Sequence, residues 1–191
     1  MKRIFSLSIF FILVLEASGQ GKFTDSRDGN VYKTITIDKN IWMVENLRFK
    51  APKGAYYFDN DPNNKLAYGV LYSWESALTV CPDGWHLPNG QEFQELVNYV
   101  DQKDGWKKGP ADTTSFGIQL GGMQDYEGTF TEMDQSAYFW TSTEYDKENA
   151  EYFSYIIVVN TPVTDISRKS DISDIHGTEK NNKYSVRCVK N

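Results

Sequence analysis

The stretch CPDGWHLPNGQEF, residues 81–93, carries a cysteine and a histidine in one short segment. Cys81 and His86 could act as nucleophile and base, provided that the sulfur is a free thiolate within reach of the ring. The second cysteine of the mature chain, Cys188, offers a competing chemistry, because a cystine sulfur is neither thiolate nor base. His86 could also serve alone as an acid or base beside a cleft, but a ring lying under a helix start and hydrogen-bonded to backbone is the commoner fate and the one expected here. Two carboxylates flanking a cleft could hydrolyse a glycosidic bond, and Glu144 in WTSTE with Asp125 or Glu127 offers such a pair in a chain rich in acids. His86 and His176 lack metal-ligand spacing. The oxygen-rich DNDPNN, residues 59–64, lacks the spaced acids and closing Glu of a calcium loop. Neither a metal nor a cofactor is expected. Trp106, Tyr126 and Phe130 stand in a polar, glycine-interrupted region and could stack on a sugar ring or a peptide, or close the core as lids.

The compartment decides between the two cysteine chemistries. Lys2 and Arg3 precede an apolar run from Ile4 to Leu15, and Ala17-Ser18-Gly19 supplies small residues for cleavage. These are the three parts of a secretory signal, and residues 1–19 are set aside on that reading. The run is too short to span a bilayer, so no transmembrane anchor is expected after cleavage. An exported chain meets an oxidising environment in which Cys81 and Cys188 are expected to pair. The bridge would close more than half the chain into a loop and stabilise it by roughly 2–5 kcal/mol.

Residues 20–191 fit one domain with a single substantial core. The whole chain has 20 basic and 26 acidic residues, a net charge of −6, and removing Lys2, Arg3 and Glu16 makes it one unit more negative. Nucleic acid is therefore an unsuitable partner, since a polyanion needs a positive footprint. With 11 Phe, 12 Tyr and 5 Trp, the chain is aromatic-rich in the way of loop-heavy exported domains.

The elements that must position these residues follow from spacing. Asp28-Gly29 marks a turn, the β-branched alternation from Val31 to Ile37 a strand, and Asp38-Lys39-Asn40 the turn of a hairpin into IWMVEN. Residues 50–66 read as a long loop pinned by Tyr56-Tyr57-Phe58. GVLYSWESALT, 69–79, has the spacing of a short one-faced helix ending before Pro82. The next helix is the best defined: Asn89 and Glu92 form a capping box, and Phe93, Leu96, Val97 and Val100 fall at i, i+3, i+4 and i+7. Gly121-Gly122 lacks the context of a phosphate loop and reads as a bulge or close backbone approach. Strands are expected at 137–144 and 150–160, a polar loop or hairpin at 161–182, and a last strand at KYSVRCVK.

The ordered blocks FTDSRDGNVYKTITIDKNIWMVENLR, YGVLYSWESAL, CPDGWHLPNGQEFQEL, FWTSTE and YSVRCVK resemble the Fibrobacter succinogenes major paralogous domain, found in exported proteins of Bacteroidetes and Fibrobacteres. The resemblance runs from about Phe23 to the C-terminus. Asn182-Lys183 departs from it, standing where a glycine usually precedes the last strand. More distantly the layout is similar to C-type-lectin-like folds and the formylglycine-generating-enzyme group. It implies an α+β, C-type-lectin-like domain: a small twisted antiparallel sheet, two flanking helices and long loops. The reactive cysteine pair of the formylglycine-generating type is absent, as are the Pro tripeptide and Trp-Asn-Asp strand of calcium-dependent lectins. The expected function is a secreted or cell-surface, non-enzymatic domain that binds extracellular glycan or protein. Candidate contacts are Trp106, Tyr126, Phe130, His86 and Glu144; the alternatives are a secreted carbohydrate-active enzyme and a structural envelope or matrix component.

Overall fold

Turn chemistry and alternation build the first sheet. In the computed structural model, which describes residues 20–103, 107–108, 117–159, 166–169 and 177–191, β1 (Gln20–Thr24) pairs antiparallel with β2 (Val31–Ile37). Gly29 closes the turn between them with φ of 75° and donates its N–H to Asp25 O at 2.8 Å. β2 turns through Asp38-Lys39 into β3 (Asn40–Met43), and Asp38 takes φ of 53°, a left-handed conformation that Asp tolerates better than most residues. Residues 1–19 and Trp106 lie outside the described residues.

The chain then lays down β4 (Ala55–Tyr56), single 3₁₀ turns at Phe58–Asn60 and Pro62–Asn64, the one-turn α1 (Lys65–Tyr68), β5 (Leu71–Ser73), α2 (Trp74–Val80) and α3 (Gly90–Lys103). Short strands follow: β6 (Lys107–Lys108), β7 (Gly117–Ile118), β8 (Gly121–Gln124) and β9 (Phe130–Met133). Two long ones come next, β10 (Ser136–Glu144) and β11 (Asn149–Val159), then β12 (Ile166–Lys169), β13 (Gly177–Glu179), β14 (Lys183–Ser185) and β15 (Val189–Lys190). A four-stranded sheet runs β1-β2-β3-β15, and a nine-stranded sheet runs β12-β11-β10-β8-β14-β5-β4 with β13 on β11 and β9 on β8.

This is an α+β fold dominated by sheet, and it corrects the expectation of a small antiparallel one. β10 runs parallel to both β8 and β14, and β6 is parallel to β7, so the sheets are mixed. The polar 166–169 and 177–179 join as strands despite weak propensity because the long β11 offers them a ladder, and the glycine-rich 121–124 pairs chiefly with β9. Two other readings change. The helix expected over 69–79 begins as β5, which pairs with β14 and β4, and only from Trp74 does α2 start. KYSVRCVK divides into β14 and β15, one in each sheet. Between them Leu47 N–H bonds Val186 O at 2.8 Å and Met43 N–H bonds Cys188 O at 3.1 Å.

Two buried clusters result. Phe93, Leu96, Val97 and Val100 of α3 pack on Ile35, Ile37, Trp42, Phe139 and Phe153. Each such side chain contributes roughly 1.5–3 kcal/mol on full burial. The other cluster gathers Trp74, Ala77 and Val80 of α2 with Tyr72, Trp140, Tyr184 and Cys188. β10 serves both, since Ala137 and Phe139 belong to the first and Tyr138 and Trp140 to the second. Where the segments meet, Arg187 is 1% exposed. It donates to Gly117 O and to Asn46 Oδ1, each at 2.8 Å, and its guanidinium lies 5.1 Å from the Phe139 ring centre. Desolvation pulls it down to about 9, with Glu45 opposing, so it stays charged at neutral pH. Asn46 and Gln119 extend the network to the carbonyls of Tyr68 and Ala67, at 2.9 and 2.7 Å. No helix among the described residues is long and apolar enough to cross a membrane.

Candidate functional site

The segment with the most chemistry in its residue types is a fastened corner. Cys81, at the end of α2, is bonded to Cys188, with Cα atoms 5.9 Å apart. The Cys81–His86 pairing as nucleophile and base is thereby removed. His86 is tied twice. Its N–H donates to Val189 O at 2.8 Å and its carbonyl accepts from Val189 N at 3.0 Å, which extends the first sheet by one bridge. Its ring Nε2 meets Glu92 Oε1 at 2.9 Å with the imidazole 42% exposed, so the expected ring-to-backbone contact is replaced by a carboxylate. The other Glu92 oxygen accepts from Asn89 N at 2.9 Å, and Glu92 N donates to Asn89 Oδ1 at 2.9 Å. One glutamate thus closes the capping box and holds the histidine.

Glu144 ends β10 and is exposed. It meets Lys180 Nζ at 2.5 Å, and the same ammonium donates to the carbonyls of Asp146 and Lys147, each at 2.8 Å, and lies 4.7 Å from the Trp74 ring centre. Asp125 caps a different turn, accepting from Thr129 N at 2.8 Å through its side chain. Glu144 and Asp125 thus each serve a separate local contact, an ion pair with Lys180 and a turn cap. Cavities of about 330, 580 and 250 Å³ are lined by other residues than His86, Tyr126, Phe130 and Glu144. In the 59–64 loop, Asp61 Oδ1 accepts from Asn63 N at 2.9 Å, so this oxygen caps the turn.

The aromatic candidates converge better. Tyr126 is 57% exposed at the tip of the β8–β9 hairpin. Asp125 pins that tip, exchanging backbone bonds with Thr129 and Gly128 at 3.0 and 3.1 Å. Phe130 opens β9 opposite Gln124 and is half-buried, its ring tilted 5.2 Å from that of the buried Phe58, so it is partly a lid on the 50–66 loop. Two lysines that the sequence reading missed frame the same region. Lys50 Nζ lies 5.5 Å from the Tyr56 ring centre and 4.8 Å from that of Tyr57; Lys183 Nζ lies 5.6 Å from Tyr56 and donates to Asp125 O at 3.5 Å. Desolvation pulls both ammonium groups below the ordinary lysine value, with Asp125 opposing at Lys183. Gln124 is buried, and its Oε1 has no hydrogen-bond partner among the described residues. The result is a face with one exposed ring, three half-buried rings and two cations, suited to stacking and hydrogen-bond donation.

No curated protein and no solved structure matches the chain. The family model of the Fibrobacter succinogenes major domain matches residues 35–190, which include all of the nine-stranded sheet, both disulfide cysteines and the candidate face. The chain therefore belongs to the Fibrobacter succinogenes major domain family.

Proposed function

We propose that the protein is an exported, non-enzymatic binding domain that recognises an extracellular glycan through the face carrying Tyr126, Phe130, Tyr56, Lys50 and Lys183. The observation that carries this reading is the contrast between spent and available groups. Cys81 is in a cystine, His86 is paired with Glu92 and Glu144 with Lys180, while Tyr126 stands exposed on a pinned hairpin whose Asp125 carbonyl accepts from Lys183. A preordered aromatic ring costs little entropy to engage and stacks on a sugar face. Export is supported by the charged start, short apolar run and small residues of the first nineteen positions. A C-type-lectin-like arrangement is part of the same proposal, supported by β15 closing onto β3 and by α3 following Leu87-Pro88.

The test is a glycan array and pull-down with the mature protein, with and without calcium and with reductant as a control. Saturable glycan binding without turnover, lost in Tyr126→Ala while unfolding stability stays within about 0.5 kcal/mol, is the expected result. Protein capture without glycan binding would move the ligand class to protein. Release of reducing ends would replace the reading by a carbohydrate-active enzyme, and silence in every arm by a structural envelope or matrix component.

A further inference from the structure

A different feature lies beside the first turns of the capping-box helix. Between the β2–β3 turn and α3 is a cavity of about 330 Å³ whose polar lining is Asp38, Lys39, Asn40, Glu92 and Glu95. Ile37, Trp42 and Leu96 form its apolar wall, and all three are buried. Three carboxylates against one ammonium leave the lining negative. Glu92 is occupied by His86 and Asn89, and Glu95 gives one oxygen to Gln91 Nε2 at 3.1 Å. Asp38 makes no hydrogen bond or ion pair with any described residue, and Lys39 makes no ion pair with one.

Asn40 points to a ligand. It is 8% exposed, yet its side-chain amide bonds to no described residue, and it is not one of the unpartnered atoms closed off from solvent. An amide in that position opens onto the cavity it lines. Its amide keeps some contact with solvent, and a bound group can take the place of water there. The acids do not converge on a point: among the described residues no group of three or more His, Cys, Asp or Glu could hold a metal ion. The space also far exceeds the roughly 30 Å³ share of a single water. Spread negative charge, a nearly buried side-chain amide and an apolar wall fit a cation with an aliphatic stem.

We propose that this cavity binds a primary aliphatic ammonium group. Asp38 and Glu95 supply the opposing charge, Asn40 Oδ1 accepts an N–H, and Trp42, Ile37 and Leu96 receive the methylene stem. The test titrates the folded, disulfide-bonded protein with 1,5-diaminopentane and, separately, with Nα-acetyl-lysine methylamide, following ¹H–¹⁵N shifts including the Asn40 side-chain amide. The controls are 1,5-pentanediol and calcium chloride. Both amines should shift Asn40, Asp38 and Glu95 saturably, and the diol should not. The double variant Asp38→Asn/Glu95→Gln changes exposed side chains only, and Asn keeps the left-handed backbone of position 38 accessible; it should weaken binding at least tenfold. Equal shifts with the diol, shifts scattered over the acidic surface, displacement of the amine by equimolar calcium, or less than twofold loss in the double variant would each overturn the proposal.

Discussion

Arg187→Met tests how the two cores are joined. Methionine matches the length of the arginine stem and keeps a polarisable group near Phe139, but it donates no hydrogen bond. The change leaves Gly117 O and Asn46 Oδ1 without donors that now approach to 2.8 Å, in a place where Arg187 itself is 1% exposed. Each orphaned acceptor costs about 1–3 kcal/mol, and the lost cation–π contact adds about 1–2 kcal/mol at a desolvated site. Against this stands relief of the desolvation that pulls Arg187 down to about 9, a penalty of several kcal/mol per buried ion. Whole-network replacement by apolar groups can be neutral, but a single truncation that strands the acceptors is not. The balance is a loss of about 2–4 kcal/mol, or roughly 5–15 °C in Tm at this size. Urea unfolding followed by tryptophan fluorescence reads it as a lower midpoint at constant m. Asn46→Leu should cost at least as much, because it leaves the guanidinium with one acceptor fewer, and the pair should couple by about 1–3 kcal/mol in a double-mutant cycle. Arg187→Met as stable as the parent, or more so, would refute the reasoning.

Three further outcomes follow from the same geometry. Cys81→Ala/Cys188→Ala, which opens a covalent loop of 107 residues, should lower unfolding stability by about 2–5 kcal/mol in urea while the folded variant keeps native circular dichroism. Asp25 is fully buried; burial raises its carboxyl, but hydrogen bonds from the Arg27 side chain and backbone outweigh that and hold it below its ordinary 3.8. The pair's contribution is therefore complete above that value and lost as pH falls through the lower folded one, and Asp25→Asn, costing about 1–3 kcal/mol at pH 7 with Arg27 part-exposed, should flatten acid unfolding below about pH 4. Gly122→Ala would set a Cβ 2.3 Å from Thr131 O and 2.7 Å from Met133 N at φ of +59°; calorimetry should show a loss of at least about 2 kcal/mol, since backbone must move.

Local signals carried much of the scaffold. The capping box at Asn89 and Glu92, the spacing of Phe93, Leu96, Val97 and Val100, the 38–39 turn and the Cys81–Cys188 bridge were all legible, because each depends on near neighbours or on cysteine pairing alone. β5 was hidden inside a helical pattern: Val70, Leu71 and Trp74 fit a helix face equally well, and only pairing with β14 distinguishes them. Arg187, Asn46 and Gln119 were missed because arginine and amides usually sit at the surface, and nothing local reports that residues 46, 119 and 187 meet. The one available signal was an arginine between Val186 and Cys188 in an apolar tail. At the candidate face, Tyr126 was recognisable as a loop aromatic, whereas Phe130's lid contact with Phe58 and the convergence of Lys50 and Lys183 on Tyr56 join segments far apart in sequence.

The reading of the 81–93 corner as scaffold, with recognition left to the loop face, rests on the state of two sulfurs. Thiol titration in denaturant of the protein isolated from its native source, with a non-reducing peptide map, measures it directly. Zero reactive thiols and a recovered Cys81–Cys188 cross-linked peptide are predicted. Two titratable thiols per chain would contradict the account and return Cys81 and His86 to the list of catalytic candidates.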